Sequence, residues 1–262
     1  MPEMTLVTGA CGGLGSAFCD ILAERGEPLL LTGRSGARLA AKKQSLEERF
    51  PGLAVETCVC DLADGASRAA LFAFADGRNI TFSRLVYVAG VDTQMALERY
   101  TPEKIAMQAR VNFEGAADLA RGVFLRGNAH PCLLAVGSMS ASTPMPYFAL
   151  YSAAKKGLEQ LFVALHEEWR GRADVTVVLP GGIPTREDIK ENIRSHGWFG
   201  RVSALPPRTV AERALKALSR NKRRAVIGFW NKLLYGATRL VPLSLRLRFV
   251  ARMWSRTQKD AF

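Results

Sequence analysis

The sequence lacks the features that divide a chain into several domains or carry it across a membrane. No apolar stretch approaches the ~20 residues that a membrane-spanning helix needs. There is no internal repeat, no low-complexity tract and no linker rich in Ser, Gly or Pro. The first predicted strand begins at residue 4, so we expect no signal peptide. We expect residues 1–228 to form a single domain.

Cysteine and histidine are scarce, and their spacing argues against disulfide bridges and metal sites. The chain has five cysteines, an odd number, and three histidines. Cys58 and Cys60 occupy alternate positions of a predicted strand, an arrangement that rarely forms a bridge. His130, His166 and His196 show no metal-ligand spacing. We therefore expect reduced thiols, a cytoplasmic location and no bound metal.

Acidic residues are nearly absent from the last quarter of the chain. Residues 201–262 have 15 basic and 2 acidic side chains, a net charge of +13, whereas residues 1–200 have 21 basic and 22 acidic ones, a net charge of −1. Apolar residues over 229–241 recur at helical spacing, opposite Lys232 and Arg239, and a less regular segment follows Pro242. The sequence therefore predicts a basic amphipathic helical extension over residues 229–262. Its apolar stripe consists of Phe229, Trp230, Leu233, Leu234, Ala237, Leu240 and Val241.

Four interpretations of this extension stay open from the sequence. A basic helix with aromatic residues can lie on an anionic membrane surface, which is the interpretation we favour. The extension could instead pack on a neighbouring subunit or cap a substrate crevice. Nucleic acid binding is the least favoured, because aromatic residues in one apolar stripe suit lipid or protein better than base stacking.

Short, continuously apolar segments alternate with segments of helical periodicity over the first 228 residues. This alternation is typical of a parallel sheet that helices cover on both faces. The sequence therefore predicts an α/β fold, a doubly wound parallel sheet (Rossmann fold) of about seven strands. The predicted strands include residues 4–8, 29–31, 54–55, 85–88, 132–136, 175–179 and 225–227.

A glycine-rich turn, TGACGGLG over residues 8–15, separates the first predicted strand from a helix. Gly9 permits a tight turn, Gly13 a close backbone approach to a pyrophosphate, and Gly15 close packing of the helix. The helix N-terminus adds free N–H groups and a partial positive charge. A strand, a glycine turn and a helix in this order predict a dinucleotide-binding site.

Tyr151 and Lys155 lie four residues apart on a predicted helix, and Ser138 precedes the tyrosine by thirteen residues. Residues at i and i+4 share one face of a helix. The lysine cation stabilises a phenolate and so lowers the tyrosine pKa from about 10 towards working pH. The pattern predicts an acid/base pair, with the Ser138 hydroxyl holding a substrate oxygen beside the phenol.

With these motifs in this order, the chain resembles the short-chain dehydrogenase/reductase family over about residues 4–215. The glycine turn matches the family signature TGxxxGxG, and Ser138, Tyr151 and Lys155 match its catalytic set in spacing and identity. The resemblance further implies that Asn112 positions a proton-relay water. It also implies that Lys155 holds the nicotinamide ribose.

The same resemblance assigns cofactor contacts to three later segments. Asp61-Leu62 matches the acidic position that holds the adenine, and PGGIPT over residues 180–185 matches the segment that seats the nicotinamide amide. Ala89-Gly90 matches only the second half of the family's NNAG turn, because Tyr87-Val88 replaces both asparagines. The expected cofactor-binding residues are Thr8, Gly9, Gly13, Leu14, Gly15, Arg34, Ser35, Asp61, Leu62, Ala89, Gly90, Tyr151, Lys155, Pro180, Gly181, Ile183 and Thr185.

The serine segment GSMSAS over residues 137–142 offers three hydroxyl groups. Spacing to Tyr151 favours Ser138 as the catalytic one. Ser140 is the reserve candidate, and Ser142 is expected to be a turn residue.

The end of the second predicted strand bears on the choice of cofactor. An acidic side chain there would bind the 2′-hydroxyl of NAD, but the sequence has Gly33 followed by Arg34 and Ser35. Arginine can grip a 2′-phosphate, with Ser35 and Arg38 as further donors. The segment favours NADP over NAD, although Arg34 could instead stack on the adenine of either.

The function that follows is reversible hydride transfer, in which NADPH reduces a carbonyl and Tyr151 protonates the oxygen. A predicted substrate lid over residues 186–205 contains Trp198 and Phe199, which favours an apolar ketone or aldehyde. The alternative is a non-catalytic NADP-binding protein with a redox-sensing or scaffold role. We expect a homo-oligomer, a dimer or tetramer, with a small-molecule substrate and no nucleic acid partner.

Overall fold

Seven parallel strands form the centre of the protein, in the order β3-β2-β1-β4-β5-β6-β7. The computed structural model describes residues 2–185, 187–195, 200 and 202–255, without the side chains of residues 188, 192, 195 and 239. This order confirms the predicted α/β fold and its seven-stranded sheet. The strands are β1 (Glu3–Thr8), β2 (Leu29–Gly33), β3 (Val55–Val59), β4 (Thr81–Tyr87), β5 (Gly127–Val136), β6 (Asp174–Pro180) and β7 (Arg224–Ile227).

Helices connect the strands and continue beyond the last one. Single 3₁₀ turns cover Leu97–Arg99 and Met139–Ser142, and a π-helical turn over Arg110–Glu114 joins two α-helices. The α-helices are α1 (Gly13–Glu24), α2 (Gly36–Arg49), α3 (Gly65–Gly77), α4 (Pro102–Ala109), α5 (Gly115–Leu125), α6 (Ala149–Glu168), α7 (Glu187–Ser195), α8 (Pro207–Leu218), α9 (Phe229–Leu240) and α10 (Leu243–Trp254).

Two apolar layers enclose the sheet, because successive side chains of a strand point to opposite faces. In β2, Leu30 joins the layer formed with helices α3, α5 and α6, whereas Leu29 and Leu31 join the layer formed with α1, α2 and α8. All three leucines are fully buried. Burial on both faces explains why the strands appear in the sequence as continuous apolar runs.

The carboxyl ends of parallel strands open towards one edge of the sheet, where such folds bind ligands. The glycine turn follows β1, Arg34 follows β2, and Asp61 comes shortly after β3. Ser138 follows β5, and Gly181 follows β6. The fold therefore collects the predicted cofactor and catalytic residues at one edge.

Helices α9 and α10 fold back over this edge of the sheet. The buried Asn231 side chain on α9 donates to the carbonyls of Ile227 and Ser203. Tyr235, one turn later, donates to Glu159 of α6. Along residues 2–255 as described, no helix is both long and apolar enough to cross a bilayer.

Candidate active site

A crevice of about 1300 Å³ runs along the carboxyl edge of the sheet. Pockets for one small ligand usually measure about 300–1,000 Å³. The volume therefore has room for a dinucleotide and a second molecule beside it. Its wall includes the glycine turn, the ends of β2, β5 and β6, helix α6, and the inner sides of α9 and α10.

The glycine turn has the geometry that the sequence predicts for a phosphate loop. Gly9 has a φ of +62°, a conformation that glycine adopts without strain. A Cβ on Gly15 would lie 2.1 Å from the Gly9 oxygen, so only glycine allows α1 to start this close to the turn. A Cβ on Gly13 would lie 2.8 Å from the Thr185 Cβ, which places the PGGIPT segment directly against the loop.

The Thr8 hydroxyl joins the ends of two neighbouring strands. It accepts hydrogen bonds from the backbone N–H groups of Val88 and Ala89, at 3.0 and 3.1 Å. Thr8 is fully buried and does not line the crevice. The structure thus places Thr8 beneath the crevice, where it supports the geometry of the loop after β4.

Ser138, Tyr151 and Lys155 all line the crevice, as their spacing predicts. The Lys155 ammonium lies 5.7 Å from the centre of the Tyr151 ring. The Ser138 hydroxyl accepts a hydrogen bond from the Ser140 N–H at 3.1 Å. Ser140 and Ser142 line the same wall, so position alone does not separate the three hydroxyl groups.

Lys155 is buried, and its ammonium donates to the Val136 carbonyl oxygen at 3.0 Å. Burial lowers the pKa of Lys155 to about 8, because removal from water disfavours the charged form, and the Asp92 carboxylate partly offsets this. A Cβ on Gly90 would lie 3.3 Å from the lysine nitrogen. A glycine at that position leaves the lysine room beside the crevice.

Asn112 is fully buried in the π-helical turn that joins α4 to α5. Its amide accepts from the Val91 N–H at 3.1 Å and donates to the Val91 carbonyl at 2.7 Å. It does not line the crevice, although a Cβ on Gly90 would lie 3.1 Å from its oxygen. The structure therefore shows Asn112 fixing the loop after β4, and a role in a proton relay stays a prediction.

Two arginines line the end of the crevice beside β2. Arg34 lines it directly, and Arg38 lines it while donating to the Cys11 carbonyl at 2.8 Å. The Ser35 hydroxyl caps α2 by accepting from the Arg38 N–H, and Ser35 does not line the crevice, so its contact with a cofactor stays a prediction. Serine is a preferred residue at the position before a helix, where its side chain caps the helix. Arg34 and Arg38 are the basic residues at this end of the crevice.

The other predicted cofactor positions also lie on the wall of the crevice. Asp61 accepts from the Ala63 N–H at 2.9 Å, which orders the loop after β3. A Cβ on Gly181 would lie 2.4 Å from the Ser203 oxygen, so the chain passes closely there. The remaining predicted positions on this wall are Leu14, Leu62, Ala89, Pro180, Ile183 and Thr185.

The sequence did not indicate which side chains of the extension face the crevice. In the predicted lid, Ile189, Ile193, Gly200 and Ser203 line it, whereas Trp198 and Phe199 lie outside the described residues. The sequence analysis separates the domain over residues 1–228 from the extension that begins at residue 229. In the structure, α9 and α10 of the extension line the same crevice as that domain. Their lining residues are Asn231, Leu234, Ala237, Thr238, Val241, Leu245, Arg246, Phe249, Val250, Met253 and Trp254.

Three stacked aromatic rings connect α10 to the predicted general acid. The Phe148 ring stacks on Tyr151 with centroids 4.3 Å apart, and on Trp254 with centroids 5.2 Å apart. Val250 and Met145 complete this buried cluster. Aromatic pairs of this kind contribute about 0.5–1.5 kcal/mol beyond their buried area. This contact could not be predicted from the sequence, because Trp254 lies about 100 residues after the catalytic motifs.

The cysteines bear on the prediction of reduced thiols, and the absence of a bound metal stays a prediction. All five cysteines are unpaired. Within the described part of the chain, no three His, Cys, Asp or Glu side chains gather into a metal-binding group.

Comparison with known proteins places this geometry in a family. A family model described as short chain dehydrogenase matches residues 3–196. The uncharacterized oxidoreductase DltE of Bacillus subtilis is 28% identical over 200 residues, which are 74% of this chain and 75% of the relative.

Solved structures share the fold over nearly the whole chain. A 7beta-hydroxysteroid dehydrogenase has a TM-score of 0.81 at 22% identity and covers 95% of this chain and 96% of its own. A short-chain dehydrogenase from Sphingobium yanoikuyae, in complex with NADPH, has a TM-score of 0.73 at 24% identity and covers 91% and 94%. Identities this low show that the fold is shared, and they do not show a shared substrate or activity.

Proposed function

This chain belongs to the short chain dehydrogenase family, and on that premise we propose that it is an NADP-dependent oxidoreductase that reduces a lipophilic ketone or aldehyde to an alcohol. One observation carries the proposal: Ser138, Tyr151 and Lys155 line the same crevice as the glycine turn. Oxidoreductase chemistry follows from the family, whereas the reducing direction and the carbonyl substrate are our inference.

The proton chemistry is assigned to the residues in the crevice. Ser138 holds the carbonyl oxygen by donating a hydrogen bond, and the Tyr151 phenol donates its proton to that oxygen as the alcohol forms. The nearby Lys155 cation stabilises the resulting phenolate. The reduced cofactor, when bound, supplies the hydride. Asn112 is proposed to complete the path by which the proton is replaced from solvent.

The crevice fits a nicotinamide dinucleotide in three respects. The left-handed Gly9 and the unobstructed start of α1 provide backbone N–H groups for a pyrophosphate. Gly90 leaves space beside Lys155, which is proposed to hold the nicotinamide ribose. Pro180, Gly181, Ile183 and Thr185 are proposed to seat the nicotinamide.

NADP is the proposed cofactor because of the charge at the β2 end of the crevice. Arg34 and Arg38 line that end, and Gly33 stands where an acidic residue would repel a 2′-phosphate. Guanidinium groups bind phosphate through paired N–H donors. The Sphingobium yanoikuyae dehydrogenase, which shares the fold, was solved with NADPH.

An apolar substrate is proposed from the side chains that face the catalytic residues. Met145 and Phe148 flank Tyr151, and the inner sides of α9 and α10 add aliphatic and aromatic side chains such as Leu234 and Met253. Burying apolar surface contributes roughly 25 cal/mol per Å². An alkyl or polycyclic ketone would therefore gain binding free energy from this half of the crevice.

Docking on an anionic membrane is proposed for the outer side of the extension. Phe229, Leu233 and Leu240 are 73%, 58% and 86% exposed on one side of α9. Leu245 and Phe249 on α10 are exposed and also line the crevice, so they mark its mouth. The net charge of +13 over residues 201–262 suits anionic lipid.

The protein is proposed to be cytoplasmic, and self-association as a dimer or tetramer is a further prediction.

The experiment that tests the proposed activity is a screen of NADPH oxidation against ketones and aldehydes of graded chain length. Turnover that increases with apolar length supports the proposal. If the protein binds NADPH but reduces none of the carbonyls, the non-catalytic NADP-binding alternative is favoured instead.

A further inference from the structure

Arg246 is a cation in the part of the crevice wall that is otherwise built from uncharged side chains of α9 and α10. It is half-buried on the inner side of α10 and lines the crevice. The other described lining residues of these two helices are apolar, apart from the uncharged Asn231 and Thr238. A single charge in an apolar wall needs a partner, because burial away from water is unfavourable for an ion.

The hydrogen bonds of Arg246 are incomplete among the described residues. One terminal nitrogen, Nη1, donates to the Thr143 hydroxyl at 3.3 Å. The Nε nitrogen is buried and meets no acceptor in the described part of the chain. A hydroxyl group is a weaker partner for guanidinium than a carboxylate, because it has no negative charge and cannot accept two parallel N–H bonds.

Arginines that are buried elsewhere in this protein have carboxylate partners. Arg68 donates to Glu114 and Asp118 at 2.5 and 2.7 Å, and the half-buried Arg84 donates to Glu27. Arg246 has no carboxylate within 4.0 Å in the ranges that the structure describes. Within the part of the chain that the structure describes, this guanidinium therefore has no counter-ion.

Arg246 lies beside the predicted catalytic residues, in the part of the crevice where the substrate is proposed to bind. Its partner Thr143 ends the short turn that begins after Ser138. Val250, one helical turn from Arg246, packs on Phe148, whose ring stacks on Tyr151.

The proposed 2′-phosphate site lies elsewhere. Arg34 follows β2 and Ser138 follows β5, three strands along the sheet. At ~4.8 Å per strand, this is a separation of about 14 Å. Arg246 is therefore not part of the site proposed for the cofactor phosphate.

We infer that Arg246 binds an anionic group of the substrate, so that the substrate is a carbonyl compound with an apolar body and a carboxylate or phosphate. This inference rests on the proposed function and narrows its substrate class. The anion would accept hydrogen bonds from the guanidinium, including the buried Nε, and the apolar body would contact the walls of α9 and α10. The carbonyl would then lie between Arg246 and the cofactor, beside Ser138 and Tyr151.

The first experiment compares three substrates that differ only at one end: a medium-chain oxo-carboxylic acid, its methyl ester and the matching oxo-alkyl phosphate. Hydrogen bonds to charged groups contribute about 1.5–3 kcal/mol, and 1.4 kcal/mol is tenfold. The wild-type protein should therefore prefer an anion over the ester by roughly 10- to 100-fold in kcat/KM. Preference for the acid or for the phosphate identifies which anion the site takes.

Arg246→Met should abolish this preference, because kcat/KM for the anionic substrates should fall by roughly 10- to 100-fold more than kcat/KM for the methyl ester. Arg246→Lys should retain part of it, because lysine keeps the charge but not the planar pair of donors. Arg248→Met is the matched control, since Arg248 lies on the same helix, is exposed and does not line the crevice. Equal loss for acid and ester in Arg246→Met would show a merely structural role and would overturn the inference.

A binding measurement separates this inference from the proposed activity. Calorimetry with decanoate and with 1-decanol, on the protein saturated with NADP, does not need turnover. Decanoate should bind more tightly than decanol, and Arg246→Met should remove the difference. If carbonyls are reduced but decanoate shows no dependence on Arg246, the inference is wrong and the activity stands. If decanoate binding depends on Arg246 while no carbonyl is reduced, the site is right and the activity is wrong.

Discussion

The ammonium of Lys155 lies 5.7 Å from the centre of the Tyr151 ring while it donates to the Val136 carbonyl. Both residues belong to α6, one turn apart, and the lysine is 3% exposed. The protein thus keeps a cation in a dry position beside the phenol. Such a placement is unfavourable for folding and useful for chemistry, because it strengthens the electrostatic effect of the lysine on a phenolate.

The free-energy cost of burying the Lys155 charge predicts that Lys155→Met is more stable than the wild type and that this gain depends on pH. Burial lowers the pKa of the lysine from 10.5 to about 8. Between these values the unfolded chain binds more protons, so wild-type stability rises with pH across this window, and below pH 8 the full cost is present. Lys155→Met should therefore increase the free energy of unfolding at pH 7 by up to roughly 3 kcal/mol, since one pKa unit is 1.36 kcal/mol.

Urea denaturation at pH 7 and again above pH 10 measures this gain, which should shrink at the higher pH. Lys216→Met, at an exposed position on α8, is the control. A gain for Lys155→Met that is the same at both pH values would show that charge burial is not its cause. The variant should in either case lose turnover and bind NADPH more weakly.

The proposed preference for NADP predicts that Arg34→Ala weakens the binding of NADPH much more than the binding of NADH. NADPH affinity should fall by about 1.5–3 kcal/mol, the scale of a hydrogen bond to a charged group, because the 2′-phosphate loses a guanidinium partner. NADH affinity should change little, which makes NADH the internal control. Fluorescence titration of both cofactors measures the two affinities. Equal losses would mean that Arg34 stacks on the adenine of either cofactor.

The aromatic stack predicts a defect in substrate binding for Trp254→Ala. Removing this ring opens the wall of the crevice and frees Phe148, which stacks on Tyr151. KM for apolar carbonyls should rise roughly fivefold or more, because a stacked pair contributes about 0.5–1.5 kcal/mol beyond buried area. The Kd for NADPH should not change. A fall in kcat with KM unchanged would argue instead that the stack positions the phenol.

The outer side of α9 predicts binding to anionic vesicles. Phe229→Ser combined with Leu233→Ser removes two exposed apolar side chains without touching the crevice wall. Retention on vesicles of phosphatidylserine should fall, and reduction of a water-soluble carbonyl should stay at the wild-type rate. Binding of the unaltered protein should weaken with salt without vanishing, because the charge term is screened and the apolar term is not.

Vesicles that fail to retain the unaltered protein at low salt would contradict this proposal. A change in oligomeric state of the double variant, measured by light scattering, would then assign the same surface to a subunit interface.

The fold and the centre of the site could be predicted from the sequence because their signals are local. The strand at residues 29–33 begins with three buried leucines, and the left-handed Gly9 stands within a fixed spacing of glycines. Tyr151 and Lys155 are held together by one helical turn. Each of these features depends on residues close in sequence, so the periodicity of the chain reveals it.

The wall formed by the extension could not be predicted because it depends on contacts between distant residues. The stripe of α9 was predicted as a single apolar face, yet Leu234 lines the crevice while Phe229 is exposed. Helical periodicity shows that a face exists but not which part of it meets the domain. The capping role of Ser35 was missed for a related reason, since a hydroxyl beside a strand end can equally cap the next helix.

The most direct test of the central claim, that Tyr151 is the general acid of a carbonyl reductase, is the turnover of Tyr151→Phe. The variant keeps the ring that stacks on Phe148 and removes only the hydroxyl group with its transferable proton. Tyr147→Phe is the matched control, because Tyr147 lies four residues earlier in the chain, before α6 begins, and does not line the crevice. On any carbonyl that the wild type reduces, kcat should fall by about 10²–10⁴-fold in Tyr151→Phe, with NADPH affinity retained and Tyr147→Phe unaffected. Equal turnover by the wild type and Tyr151→Phe would contradict the account.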